Sequence, residues 1–317
     1  MKMQLYFSSG NSSFTECVKK RSLYTLSFSL NSESYNSTPY NGCVYNSSNP
    51  TPFLESNFAS FFSCQFTSLT SGENGGAILC TQSGASLNIF HSYFEKCAAS
   101  GGGAIHVSSL KSLTVLSASF FSCHSTCTLQ DVLGGGGIEI CSVDIPLIND
   151  CSFVQCSAKD DGAGIRVDGC GQLSYHSADS SPLVKDHLII QNSLFVDCNC
   201  AGGATPSGAG IIFWYDKETL GCSDCLFSRL HTEHTGGAIH ANYNNHVAGS
   251  HPLHFCFFNR NNCDQNNGHD FCVYCALAGN VFLQCFSTSG EKRVCTCENG
   301  YQQGLHDDWL PSGQSVL

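Results

Sequence analysis

Two short motifs recur in fixed phase along this chain, and their spacing limits what it can fold into more than any other property. Gly-Gly-Ala-Ile stands at 75–78, 102–105 and 236–239, with Gly-Gly-Gly-Ile at 135–138 and Gly-Ala-Gly-Ile at 162–165 and 208–211. Phe-x-x-Cys stands at Phe14/Cys17, Phe61/Cys64, Phe94/Cys97, Phe120/Cys123, Phe153/Cys156, Phe195/Cys198 and Phe282/Cys285. Phe227/Leu230 and Phe257/Arg260 read as degenerate copies. With 22 Phe and 22 Cys in 317 residues, chance supplies about one or two such pairs. From the motif Ile to the next motif Phe the chain counts 16 (78 to 94), 15 (105 to 120), 15 (138 to 153), 16 (211 to 227) and 18 (239 to 257). One step is longer, 30 (165 to 195), and the excess is assigned to the polar segment 174–186. Steps from the Cys position to the Ile alternate: 14, 8, 15, 9, 13 and 9 (64–78, 97–105, 123–138, 156–165, 198–211, 230–239).

Units of 26 (94 to 120) or 33 (120 to 153) residues contain only short β-branched and aromatic runs, such as "YFEKC", "GAIHV" and "LTVLSAS". A leucine precedes the motif Phe by seven residues at Leu87, Leu113, Leu188 and Leu220. Three short strands in so few residues predict the stacked coils of a parallel β-solenoid, since a propeller blade needs four strands in about 40–50 residues. The glycines then turn corners, because glycine tolerates positive φ and close backbone approach. A phosphate-binding loop is set aside: "GGAIHVSS" leads into strand-like residues, where such a loop needs a helix. The chain divides into an N-terminal irregular or first-coil region (1–57), the repeats (58–290) and a C-terminal tail (291–317). A weak first unit pairs Phe14/Cys17 with Gly42-Cys43-Val44.

Interleaved Phe-x-x-[Asn/Cys] and Gly-Gly-Ala-Ile, over roughly residues 58–285, resembles the chlamydia-type polymorphic outer-membrane protein repeat. Cysteine where asparagine is usual is similar to the cysteine-rich relatives among protist surface proteins. The resemblance implies an all-β, right-handed parallel β-helix, here of about eight three-stranded coils. It also implies surface display or secretion and a role in adhesion and host contact, and it implies no catalytic residues.

Net charge is −11, and no basic cluster exceeds Lys19-Lys20-Arg21, so nucleic acid is excluded as a partner. No run is long enough for a membrane span. The N-terminus lacks a signal-peptide core, so an exported protein would make this chain a fragment, a mature form or a gene model that begins too late. Sequons at Asn11, Asn36 and Asn46 fit secretion. Partners are therefore expected to be protein or glycan ligands on other cells or matrix, met through variable loops at 65–74, 124–134, 172–187 and 199–207.

Twenty-two cysteines allow disulfides or buried thiols. Repeating cysteines one coil apart stand about 4.8 Å apart, too far for the β-carbon separation of about 3.8 Å that a disulfide prefers. Cys64, Cys97, Cys123, Cys156 and Cys198 are therefore read as a ladder of buried thiols. Cys127, Cys170, Cys200, Cys222/Cys225 and Cys295/Cys297 are the disulfide candidates. Cys256, Cys263, His269, Cys272 and Cys275 resemble a metal set, but zinc wants a second pair, and Cys222/Cys225 supplies it only if folding brings it near. No metal or other cofactor is assigned. The dense histidines His231, His234, His240, His246, His251, His254 and His269 are read as solvated, with a pH-sensitive face as the alternative. Polysaccharide lyases and glycoside hydrolases also use β-helices, and that alternative would need convergence of Asp150, Asp160, Asp161 and Asp168, with Asp270 beside His269. Because those carboxylates are sparse and do not recur on one strand, no catalytic residue is assigned.

Overall fold

The computed structural model describes residues 38–48, 57–126, 134–168, 187–203, 206–214, 219–233, 236–242, 251–254, 256–259, 261–263, 271–272, 275–278, 281–283 and 286–287. All lie within the compact unit Asn36–Leu317. Phe14/Cys17, Asn11, Asn36, Cys127, Cys170, His234, His246, His269, Asp270, Cys285, Cys295/Cys297 and the tail 291–317 lie outside the described residues. The backbone, but not the side chains, of His251, His254, Cys263, Cys272 and Cys275 is described.

Every regular element among the described residues is a strand, and every pairing between them is parallel. The strands form four sheets. Sheet I has nine, from Thr38–Asn41 to Cys275–Ala278, and sheet II has nine, from Val44–Tyr45 to Val281–Leu283. Sheet III has seven two-residue strands from Ala98–Ala99 to Phe286–Ser287, and sheet IV seven from Ile78–Cys80 to Phe271–Cys272. The chain visits I, II, III and IV in turn and returns to I one coil later: a parallel β-helix. A complete coil thus holds four strands where three were expected, and nine coils pass through sheets I and II. The strand that sequence reading missed is the two-residue one of sheet III, too short to display a period of two.

The core is built from columns of identical residues in register. Ile78, Ile105, Ile138, Ile165, Ile211 and Ile239 stack in sheet IV, each at most 1% exposed. In sheet II, Phe66, Phe94, Phe120, Phe153, Phe195, Phe227 and Phe258 stack face to face with ring centroids 4.5–4.9 Å apart. Parallel rings at this distance follow from the rung spacing of about 4.8 Å, which holds each ring over the next.

Register corrects three sequence assignments. Phe61 pairs with Ile89 in sheet I, so Phe61/Cys64 turns the corner from sheet I to sheet II, and Phe66/Leu69 is the true sheet II copy. Phe258/Asn261, not Phe257/Arg260, continues the series. Gly42 and Cys43 also lie at the I–II corner, and Val44 pairs with Gln65 in sheet II rather than standing for a motif Ile. The step from sheet III to sheet IV in that coil is therefore 9 (69 to 78), not 14, and 65–74 is no longer a long loop.

The first glycine of each Gly-Gly-Ala-Ile copy turns the chain into sheet IV, with φ between +59° and +71°. A β-carbon at Gly135 would run into the Ile138 carbonyl oxygen as well as adopting the left-handed conformation.

Candidate functional site

Both corners flanking sheet II use one turn: an inward residue, one more, a residue at positive φ, then a small side chain. At the II–III corner the positive-φ residues include Lys96, Ser122, Gln155 and Asp197, followed by Cys97, Cys123, Cys156 and Cys198. Each of these thiols donates to the carbonyl of the Phe one coil earlier: Cys97 to Phe66 (3.6 Å), Cys123 to Phe94 (3.7 Å), Cys156 to Phe120 (3.6 Å) and Cys198 to Phe153 (3.5 Å). Asn261 stands in the same line and does this more fully. Its Nδ2 donates to the Phe227 carbonyl (3.1 Å), and its Oδ1 accepts from the Leu230 N–H (3.0 Å).

The thiol line is thus built as expected, except that Cys64 belongs to a second line at the I–II corner. That line contains Cys43, Cys64, Ser92, Ala118, Cys151, Ser193, Cys225 and Cys256. Its thiols follow the same rule, Cys64 donating to Tyr40 O (3.3 Å) and Cys151 to Val115 O (3.5 Å). No cysteine whose side chain is described forms a disulfide with another described cysteine. Cys200, Cys222 and Cys225, expected as disulfide candidates, are instead unbridged thiols in the coil interior, at most 2% exposed. The Cys200 sulfur accepts the Ala163 N–H at 3.2 Å. Burial holds the Cys151 thiol up at about 12 and pushes Cys200 up as well. Cys156 is raised by burial and by hydrogen bonding with Cys123 and Cys198. Cys151, Cys156 and Cys200 thus serve packing, since reactivity needs an accessible thiolate.

The carboxylates of the hydrolase alternative occupy different corners. Asp150 is exposed at the I–II corner, accepting from Ser117 Oγ (2.8 Å). Asp160 and Asp161 lie between sheets III and IV, where Asp161 is buried and accepts the Ser207 N–H (3.2 Å). Asp168 ends a sheet IV strand and pairs with Arg166 (2.6 Å). His231 is half-buried, its Nδ1 2.8 Å from Asn199 Oδ1.

Sequence reading missed a row on the outward side of sheet IV. His106, Glu139, Arg166 and Ile212 follow the inward isoleucines in successive coils and are register partners. Their positions alternate with inward residues, so solvation was the natural expectation. Instead they are 6%, 0%, 2% and 0% exposed. Glu139 Oε2 lies 2.8 Å from His106 Nδ1 and ties two coils together. At this burial the row stitches coils rather than offering accessible chemistry.

The coil has a constant side and a variable side. The step between corresponding register positions of sheets I and II is five residues in all nine coils, from Tyr40–Tyr45 through Phe61–Phe66 to Leu277–Phe282. At the III–IV corner, by contrast, the steps are 9 (69–78), 8 (97–105), 15 (123–138), 9 (156–165), 13 (198–211), 9 (230–239) and 10 (261–271). At the IV–I corner they range from 6 (271 to 277) to 25 (165 to 190). In the coils that contain a sheet IV strand, the length variation therefore borders that sheet.

No protein-family model matches the chain, and neither a curated protein nor a solved structure shows detectable similarity to it.

Proposed function

We propose that this protein is a non-catalytic contact module, displayed on a surface or secreted, that binds protein or glycan ligands through the insertions bordering sheet IV. The observation that carries the reading is the division of the coil. One side keeps its length in nine coils, while the two corners beside sheet IV absorb insertions. A solenoid core does not require such insertions, and loops held on a rigid framework are where recognition concentrates. The motif resemblance to the polymorphic outer-membrane protein repeat supports the same reading, since that family implies adhesion. The net charge of −11 fits ligands other than nucleic acid.

The test is adhesion of the purified chain to cultured animal cells and to an immobilised mixture of matrix glycoproteins. Segment 124–137 is shortened to the length of 98–104, and in a second variant 199–210 is shortened likewise. Each is expected to lower binding at least tenfold, while Asp160→Ala leaves it unchanged. Full binding by both correctly folded variants would refute the reading, as would absence of binding by the parent chain to either surface.

A further inference from the structure

Among the described side chains, the inward column of sheet I reads Phe61, Ile89, Val115, Ile148, Ile190, then Cys222. Cys222 is the single small side chain in that series, and it faces Cys225 and Cys256 in the adjoining I–II corner line. The other corner cysteines lie beside bulky partners, Cys64 beside Phe61 and Cys151 beside Ile148. Among the described residues, here alone do three sulfurs lie within 4.8 Å of one another, and Cys222 and Cys256 Sγ are 3.7 Å apart. All three residues are at most 2% exposed. A close-packed core gives up contacts when a branched aliphatic is replaced by a thiol. Packing therefore does not account for Cys222.

Coordination geometry does. A metal–sulfur bond of about 2.3 Å sets ligand sulfurs about 3.8 Å apart in a tetrahedron and about 4.0 Å apart in a trigonal plane. Structural zinc takes four protein ligands, whereas the described His, Cys, Asp and Glu side chains supply three here. Soft thiolate donors with no oxygen or nitrogen among them suit Cu(I), zinc and iron–sulfur clusters, and of these Cu(I) is the one that three sulfurs satisfy. We infer that Cys222, Cys225 and Cys256 form a three-sulfur site for a soft, thiophilic cation, and that Cu(I) is the ion it matches. Each sulfur that binds as thiolate releases its proton to solvent, and no electron is transferred. Because the sulfurs are enclosed, the ion enters as the coil closes around it.

The test uses the full chain, produced in copper-supplemented cells and purified anaerobically under reducing conditions. Native mass spectrometry is expected to find one tightly held copper, and X-ray absorption three sulfur neighbours. Cys222→Val restores the usual aliphatic of its column, and Cys225→Ser copies Ser193 in the corner line. Each is expected to weaken Cu(I) at least 100-fold in competition with bathocuproine disulfonate, with circular dichroism unchanged. Cys156→Ala, in the other thiol line, keeps full affinity. If Cys222→Val fails to fold, Cys225→Ser decides. Equal copper retention by a folded variant, absence of copper in the parent chain, or zinc held in preference to copper would overturn the assignment.

Discussion

Asn261 shows what its line of cysteines does less completely, and Cys156→Asn turns that into a measurement. The Cys156 thiol reaches the Phe120 carbonyl at 3.6 Å, a long contact from a weak donor. An asparagine copying Asn261 would donate to that carbonyl at the 3.1 Å seen there and accept from the Cys123 N–H at the 3.0 Å seen there. Two such bonds contribute about 1 kcal/mol each. Loss of thiol burial and desolvation of the amide offset about half of this, on the order of 1 kcal/mol. The net gain of about 1 kcal/mol would raise the melting midpoint by about 2–4 °C in a domain of this size. Thermal and urea unfolding under reducing conditions measure the gain, and amide exchange at Cys123 reports the new bond directly. A loss of about 2 kcal/mol or more, with Cys123 exchange unslowed, would mark a buried unsatisfied amide and refute the equivalence.

The glycine corners and the buried thiols make two further predictions. Gly135→Ala is expected to cost about 3 kcal/mol or more, adding a backbone collision to the left-handed strain, whereas Gly84→Ala, at φ +73° with nothing within 4 Å, costs only the strain of about 1–2 kcal/mol. Urea midpoints of the two variants measure the difference, and equal losses would count against the collision. Alkaline stability follows from Cys151, whose folded-state value of about 12 lies above the ordinary 9.0. Folding favours its protonated form, so its contribution is intact below pH 9 and is lost as pH rises toward 12, by at most about 1.4 kcal/mol per unit. Cys151→Ala, which copies Ala118 in the same line, should flatten the urea midpoint over pH 9–11 relative to the parent chain.

The fold was legible because a solenoid repeats its chemistry: the isoleucine columns, the leucines seven residues before each Phe, and the turning glycines all recur at readable spacings. Errors arose where local chemistry is degenerate. Both corners flanking sheet II use the same turn, so "FFSC" at 61–64 satisfies a motif that belongs to the next corner. The pair Phe257-Phe258 hides a shift of one residue, and only register resolves it. Sites were less legible because register, not local sequence, creates them. Nothing around Glu139 signals burial; its neighbours His106 and Arg166 stand 33 residues before and 27 after it (106, 139, 166). Cys222 and Cys225 are visible as a pair, but Cys256 joins them only because one coil returns the chain to its starting corner.

The insertions also carry a metric. The two long III–IV steps, 123–138 and 198–211, belong to coils separated by one coil with a short step, 156–165. With about 4.8 Å per coil, they leave the solenoid about 10 Å apart on the same edge. The 165–190 insertion leaves the opposite edge from the coil between them. A ligand that engages all three meets a staggered array whose spacing is quantised by the coil pitch, and gaining or losing one coil would change its valency without altering any single loop.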